Sequence, residues 1–164
     1  MKRSGLFGLA AAGILLAMTA MSPAQAAGKK LSASAIQIAM VEAGDVQIPP
    51  EFRFAVYESL VDRVRASGAF TKVYREGDHA ADGVADLVTL HTRVDAFNEG
   101  SQTKRELTTV LGATTVDVTA TVTGHDGKTL VDHKITGRVR FFGENLGVTN
   151  DIAKRITKLV RESF

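Results

Sequence analysis

Hydrophobic and polar positions follow regular spacings along most of the chain, and these spacings predict its strands and helices. Apolar residues at alternate positions predict a first strand over residues 33–41. Apolar residues then recur at every third or fourth position from Phe52 to Val64, which predicts an amphipathic helix. Pro50 at its start and Gly68 just past its end are typical of helix termini.

The segments that follow favour strands and a final helix. Strands are predicted at residues 70–74, 85–97, 114–124 and 129–142. In the second of these, the even positions from Val88 to Ala96 carry the apolar side chains. Thr149 or Asn150 can cap a last helix, whose predicted buried stripe contains Ile152, Ile156, Leu159 and Val160.

A β-hairpin is the strongest local prediction. Asp126-Gly127 is typical of a two-residue turn between strands. This turn places Val122 opposite Val131, and it also pairs Ala120 with His133 and Val118 with Ile135. In this register the apolar sets meet on one face of the hairpin.

The predicted fold class is therefore α/β (α+β), with the order β-α-β-β-β-β-α. The initial strand–helix–strand unit favours a parallel pairing through a right-handed crossover, and the later strands favour antiparallel pairing. Each helix has one apolar stripe, so both can cover the same face of a mixed, mainly antiparallel five-stranded sheet. The opposite face is expected to be open to water.

The N-terminus has the pattern of a secretory signal peptide. Lys2 and Arg3 precede an apolar run over residues 6–20, and Ala24-Gln25-Ala26 fits signal peptidase specificity. The run has about 15 residues, fewer than the roughly 20 that span a bilayer. We therefore expect residues 1–26 to be cleaved, leaving a single domain over 27–164 that is periplasmic or secreted, without a stable membrane anchor.

Composition excludes several functional classes. The chain has no cysteine, which excludes disulfides and thiolate chemistry. It has 20 basic and 18 acidic residues, and cleavage would remove Lys2 and Arg3 and leave a balanced domain. A nucleic-acid-binding domain normally has a clear basic excess, so this class is not expected.

The residues that could carry chemistry do not form a recognisable site. The four histidines, at positions 79, 91, 125 and 133, are expected to be separate in the fold, with His125 near the hairpin turn and His133 pointing into the interior. The loop from Asp78 to Asp86 is rich in carboxylates but lacks the spacing of a calcium-binding loop. No Gly-x-Ser-x-Gly elbow or phosphate-binding loop occurs. We predict no metal, no cofactor and no enzymatic activity.

The open sheet face offers one speculative ligand site. The predicted register places a basic cluster there, made of Arg93, Lys134, Arg138 and Arg140. Such a cluster can receive an anionic group such as a lipid phosphate. Threonine and charged side chains on this face are equally explained by strand propensity and by the need to keep an open sheet in water.

Several segments together resemble a known exported family. They are IAMV at 38–41, SGAFTKVY at 67–74, ADLVTL at 85–90, GATTVDV at 112–118 and HDGKTLV at 125–131. This pattern resembles the bacterial family named domain of unknown function forty-four ten, whose architecture is similar to the N-terminal domain of TolB and to the curli-secretion lipoprotein core. Relatives are frequently lipoproteins, but position 27 is alanine and not the cysteine that carries the lipid. The resemblance implies no catalytic residues.

The sequence favours two functions, and a third alternative, an unrecognised hydrolase, would need a buried carboxylate or histidine in a closed pocket. The first is a non-enzymatic periplasmic interaction module that binds a protein partner in cell-envelope assembly or export, by strand addition or on the threonine-rich face. The alternative is a binding protein for an anionic envelope ligand, such as a lipid phosphate or polyanion, on the open sheet face. The sequence does not determine the oligomeric state.

Overall fold

The computed structural model describes residues 30–98, 114–139 and 146–164. The predicted signal peptide and Arg140 lie outside these ranges. The elements in chain order are β1 Ala35–Ile38, β2 Glu42–Ala43, α1 Pro50–Ser67, β3 Lys72–Arg75, a 3-10 turn His79–Ala81, β4 Leu87–Asn98, β5 Thr114–Gly124, β6 Thr129–Val139 and α2 Leu146–Ser163. The predicted α+β class is confirmed, with the two-residue β2 as an additional strand.

Helix α1 forms where its terminal residues and apolar stripe predicted it. Pro50 occupies the first turn, where the missing amide N–H is not needed, and Glu51 lies near the positive end of the helix dipole. Gly68 ends the helix with φ of 65°, a left-handed conformation that glycine adopts without steric cost. The buried stripe contains Phe52, Val56, Tyr57, Leu60, Val61 and Val64.

The sheet has the strand order β3-β1-β4-β5-β6, and β2 also pairs with β4. β1 is parallel to β3, as the crossover through α1 predicted. It is also parallel to β4, whereas the sequence favoured antiparallel pairing for the strands that follow the crossover. β4, β5 and β6 form long antiparallel pairings. β6 is therefore an edge strand, and the short β3 is the opposite edge.

The β5–β6 hairpin has the predicted register but a different turn. Val122 pairs with Val131, as predicted, and so do Ala120 with His133 and Val118 with Ile135. The prediction of a two-residue turn is wrong. The Gly124 N–H donates to Lys128 O at 2.9 Å, which closes a three-residue loop. The register shifts by one residue between Val122 and Thr123, and this irregularity restores the predicted pairs.

A β-bulge in β4 changes which side chains face the helices. Val94 pairs with Val118, but Ala96 pairs with Asp117, so Asp95 is the extra residue. The alternation of faces therefore reverses after Asp95. Ala96 is exposed, so the prediction that it shares one apolar face with Val88, Leu90 and Val94 is wrong. Phe97 packs instead against Phe52, with ring centroids 5.1 Å apart.

Both helices cover one face of the sheet, as predicted. Helix α2 buries Val148, Ile152, Ala153, Ile156 and Val160 in the same core as the α1 stripe. It begins at Leu146, so the predicted cap at Thr149 or Asn150 is wrong. Asn150 Oδ1 instead accepts hydrogen bonds from Ser59 Oγ at 3.2 Å and Arg63 Nη2 at 3.4 Å.

The opposite face is only partly open to water. Near β1 and β3, the loop that contains the 3-10 turn packs over this face. Ala81 of the loop forms a buried cluster with Ala35 and Tyr74 of the sheet. The prediction of a wholly open face is therefore wrong at this end of the sheet. The face remains open across β4, β5 and β6. Among the described residues, no helix has the length and apolarity needed to cross a membrane.

Close contact between α2 and the sheet depends on Gly137. A Cβ at this position would lie 2.5 Å from Ile152 Cδ1 and 2.6 Å from Ile152 Cγ1. Ile152 is fully buried among other core side chains, so moving it to make room would disturb their packing. Gly137 therefore allows the helix to approach β6 closely.

We predict that Gly137→Ala destabilises the fold by about 1–3 kcal/mol, the usual effect of overpacking a core. Urea unfolding measures the change. In an Ile152→Ala background, the same glycine substitution should have little further effect, because the obstructing atoms are gone. An equal loss of stability in both backgrounds would contradict the proposed contact.

Candidate interaction surfaces

The structure brings together only part of the predicted basic cluster. Arg93 on β4, Thr119 on β5 and Lys134 on β6 lie in one row across the open face. Arg138 lies four residues further along β6, opposite Thr115. The ligand-binding role of these residues stays a prediction.

Asp95 accompanies Arg93 on the open face. Its carboxylate accepts hydrogen bonds from Arg93 Nε at 2.9 Å and from Thr119 Oγ1 at 2.5 Å. The pKa of Asp95 is lowered, mainly by the hydrogen bond from Thr119. Partial burial raises this pKa, whereas Arg93 and the charge of Lys134 lower it further. The positive charge of Arg93 is therefore balanced within the protein.

Threonine–aspartate pairs repeat across the same face. Thr136 Oγ1 donates to Asp117 at 2.6 Å, and Thr121 Oγ1 donates to Asp132 at 3.2 Å. Cross-strand pairs of this kind stabilise a sheet. The described part of the open face thus carries hydrogen-bonded cross-strand pairs in which carboxylates lie beside the predicted basic residues.

The histidines lie apart in the structure. His91 Nε2 lies 3.4 Å from Thr123 Oγ1. His125 is exposed in the hairpin turn. His133 lies on the helix side of β6 but is exposed, because β6 is the edge strand; the expectation that it points into the interior is wrong. The described residues contain no group of three side chains placed to hold a metal ion.

The carboxylates of the loop from Asp78 to Asp86 organise its backbone. Asp78 accepts a hydrogen bond from the Ala80 N–H at 2.9 Å and caps the 3-10 turn. Asp86 accepts one from the Ser34 N–H at 2.9 Å, and its hydrogen bonds with Ser34 lower its pKa. These contacts tie the loop to the start of β1.

The outer edge of β6 presents backbone groups that pair with no other strand within residues 30–98, 114–139 and 146–164. The Arg138 N–H donates to Asp151 Oδ2 at 3.4 Å and so points away from β5. Because backbone direction alternates along a strand, the N–H and C=O groups of Asp132, Lys134 and Thr136 also point outward. Asp151 covers only one end of this row.

A groove of about 400 Å³ runs beside this edge, between β6 and α2. It is lined by His133, Lys134, Ile135, Thr136, Arg155, Lys158, Leu159 and Glu162. We call the outward backbone of β6 together with this groove the β6 edge site. The sequence pattern did not predict the α2 residues of this site. Their spacing indicates an exposed helix face, but it does not indicate which strand lies beside that face.

The fold is shared with solved structures of bacterial proteins. A PelC dodecamer structure from Paraburkholderia phytofirmans matches with a TM-score of 0.59 and 15% identity, over 79% of this chain and 92% of that chain. XCC0632 from Xanthomonas campestris, a DUF330 protein, matches with a TM-score of 0.50 and 15% identity, over 86% of this chain and 85% of that chain. Similarity at this level of identity establishes a common fold and not a common function.

Sequence comparison adds no assignment. No protein-family model matches the chain, and no curated protein matches it significantly. The resemblance to the family named domain of unknown function forty-four ten, and to the TolB N-terminal domain, is not confirmed.

We predict that Asp95 contributes acid-dependent stability. Its pKa is lowered in the fold, so its contribution is present above the unfolded pKa of about 3.9 and is lost as pH falls through the folded pKa. Asp95→Asn should remove this part of the pH dependence, as measured by urea unfolding at a series of acid pH values.

Two threonine variants provide a second test and its control. Thr119→Val removes the main donor to Asp95, so the pKa of Asp95 should move toward its unfolded value and the loss of stability in acid should become smaller. Thr121→Val removes a hydroxyl from the same strand and face without a contact to Asp95 and should leave this transition in place. Identical curves for Asp95→Asn and the natural protein would refute the prediction.

Proposed function

We propose that the protein is a non-enzymatic interaction module of the bacterial envelope that binds an extended polypeptide segment at the β6 edge site. The observation that carries the proposal is the edge of an 11-residue strand, to which no other described strand is paired, with a groove beside it. Strand addition uses such an edge for main-chain hydrogen bonds and uses adjacent pockets for side-chain specificity. The predicted signal peptide supports a location in the periplasm or outside the cell.

The residues of the edge site suit an extended partner. Lys134 and Thr136 supply outward backbone groups, while Leu159 supplies an apolar surface in the groove. Glu162 and Lys158 provide charges of both signs at its rim, 3.7 Å apart. An added strand would therefore gain backbone pairing along the edge and side-chain contacts on α2.

The proposed partner is an envelope protein, and a second copy of this chain is a special case of the same binding mode. PelC, which has the same fold, forms a dodecamer. A shared fold does not transfer an assembly state, so the mass of the purified protein by light scattering decides between the two partners. A role in envelope assembly or export is part of this proposal, and the predicted signal peptide supports it.

The alternative function, binding of an anionic envelope ligand at Arg93, Lys134, Arg138 and Arg140, has weaker support. Asp95 balances the charge of Arg93, and Asp117 and Asp132 lie among the other cations. A ligand phosphate at this place would therefore lie close to three carboxylates.

Because the protein has no cysteine, single cysteines can be introduced for in-cell crosslinking. We predict that Lys134→Cys captures a specific partner, whereas Arg65→Cys on the exposed side of α1 does not. Adding Thr136→Pro should reduce capture by about tenfold or more, because proline removes an outward N–H and obstructs an incoming strand.

Thr136→Val is the matched control for the proline variant. It also loses the hydroxyl that donates to Asp117, but it keeps the backbone N–H. Thr136→Pro should stay folded, since its N–H does not pair with β5, and thermal unfolding checks this. Capture that is unchanged in a folded Thr136→Pro variant would exclude strand addition at this edge.

A further inference from the structure

A second groove lies between the outer sides of α1 and α2, away from the sheet. Its volume is about 450 Å³, and it is lined by Arg63, Ala66, Ser67, Asp151, Lys154, Arg155, Thr157, Lys158 and Arg161. We call it the interhelical groove. The two helices run in the same direction here: Asn150 near the start of α2 contacts Arg63, and Phe164 after its end contacts Phe70.

Positive charge is concentrated in the interhelical groove. Among the lining residues that the structure describes, five are arginine or lysine, and Asp151 is the one carboxylate. Asp151 Oδ2 already accepts a hydrogen bond from Arg155 Nε at 2.8 Å. Neither Lys154 nor Arg161 forms an ion pair with any residue in the described ranges.

This concentration is local to the groove. The whole chain has 20 basic and 18 acidic residues, so an excess of positive charge is not a general property of its surface. On the exposed part of α1, Arg65 pairs with Asp62 at 3.9 Å, and Glu58 pairs with Arg75 at 2.5 Å. A basic residue in the last helical turn complements the helix dipole, but Lys154 and Arg155 lie in the middle of α2, where the dipole has little effect.

We propose that the interhelical groove binds a phosphate-bearing anion. Arg63 and Arg161 can offer forked N–H donors, which suit the oxygen atoms of a phosphate group, and Lys154 adds a point charge. Ala66 and the aliphatic stems of the cationic side chains give the groove an apolar component, which suits the organic part of the ligand. Because the groove is on the helix side, it is separate from the predicted cluster that contains Arg93.

The phosphate can belong to a lipid headgroup or to a free phosphate compound, and two binding assays separate these sources. The first measures sedimentation of the protein with vesicles of phosphatidylglycerol, and with vesicles of phosphatidylcholine for comparison. The second is a calorimetric titration with pyrophosphate. We expect binding in at least one assay, with an affinity that falls as salt increases. Vesicle binding alone indicates a lipid headgroup, and pyrophosphate binding alone indicates a free phosphate compound.

The test variant is Lys154→Glu with Arg161→Glu, which reverses two charges in the groove. It should weaken binding at least tenfold. Lys134→Glu with Arg138→Glu is the matched control, because it makes the same charge change on the open sheet face and should keep binding within about twofold. Both pairs are exposed, so both variants should fold, as circular dichroism verifies.

Three results would overturn the inference. They are no binding in either assay at low salt, equal binding by the groove variant and the natural protein, and an equal loss in the control variant. Thr136→Pro should not affect anion binding, because Thr136 is outside the groove. This variant separates failure of the anion site from failure of the proposed β6 edge site.

Discussion

Burial of two apolar helix stripes against the same sheet face is the interaction on which the rest of the structure depends. Phe52, Leu60 and Val64 from α1 meet Ile152 and Ile156 from α2 in one core. Burial of each such side chain contributes about 1.5–3 kcal/mol. Because both helices occupy the same side, one sheet face and the outer helix surfaces remain for interactions.

The absence of a side chain at Gly137 sets the distance between α2 and β6. The helix therefore lies close to an edge strand, and the groove of the β6 edge site forms between them. The same helix lies beside α1, and its opposite flank forms the interhelical groove. The position of α2 thus determines both proposed binding sites, and Arg155 and Lys158 line both.

Charge is distributed differently on the two sides of the molecule. On the open face, each aspartate lies beside a threonine or arginine donor, as Asp95 does with Thr119 and Arg93. In the interhelical groove, cations outnumber carboxylates. An anionic ligand competes with three carboxylates, Asp95, Asp117 and Asp132, at the first place and with Asp151 at the second, which is why the helix side is the better candidate for anion binding.

The sequence by itself determined the fold class, the limits of α1 and the pairing of β5 with β6. These features depend on local residues: Pro50 and Gly68 at the helix ends, and alternating apolar side chains in the strands. Local patterns did not show the irregularity next to Thr123 or the bulge at Asp95, because both arise from pairing with a neighbouring strand.

Only the tertiary structure decided which exposed side chains lie together. Arg63 and Arg161 are 98 positions apart in the chain and line one groove because α1 and α2 pack side by side. Conversely, Arg93 and Arg138 share a face but not a row, since each position along a strand moves a side chain by about 3.3 Å. Spacing along the chain therefore predicted elements and faces, whereas the candidate sites depend on contacts between distant segments.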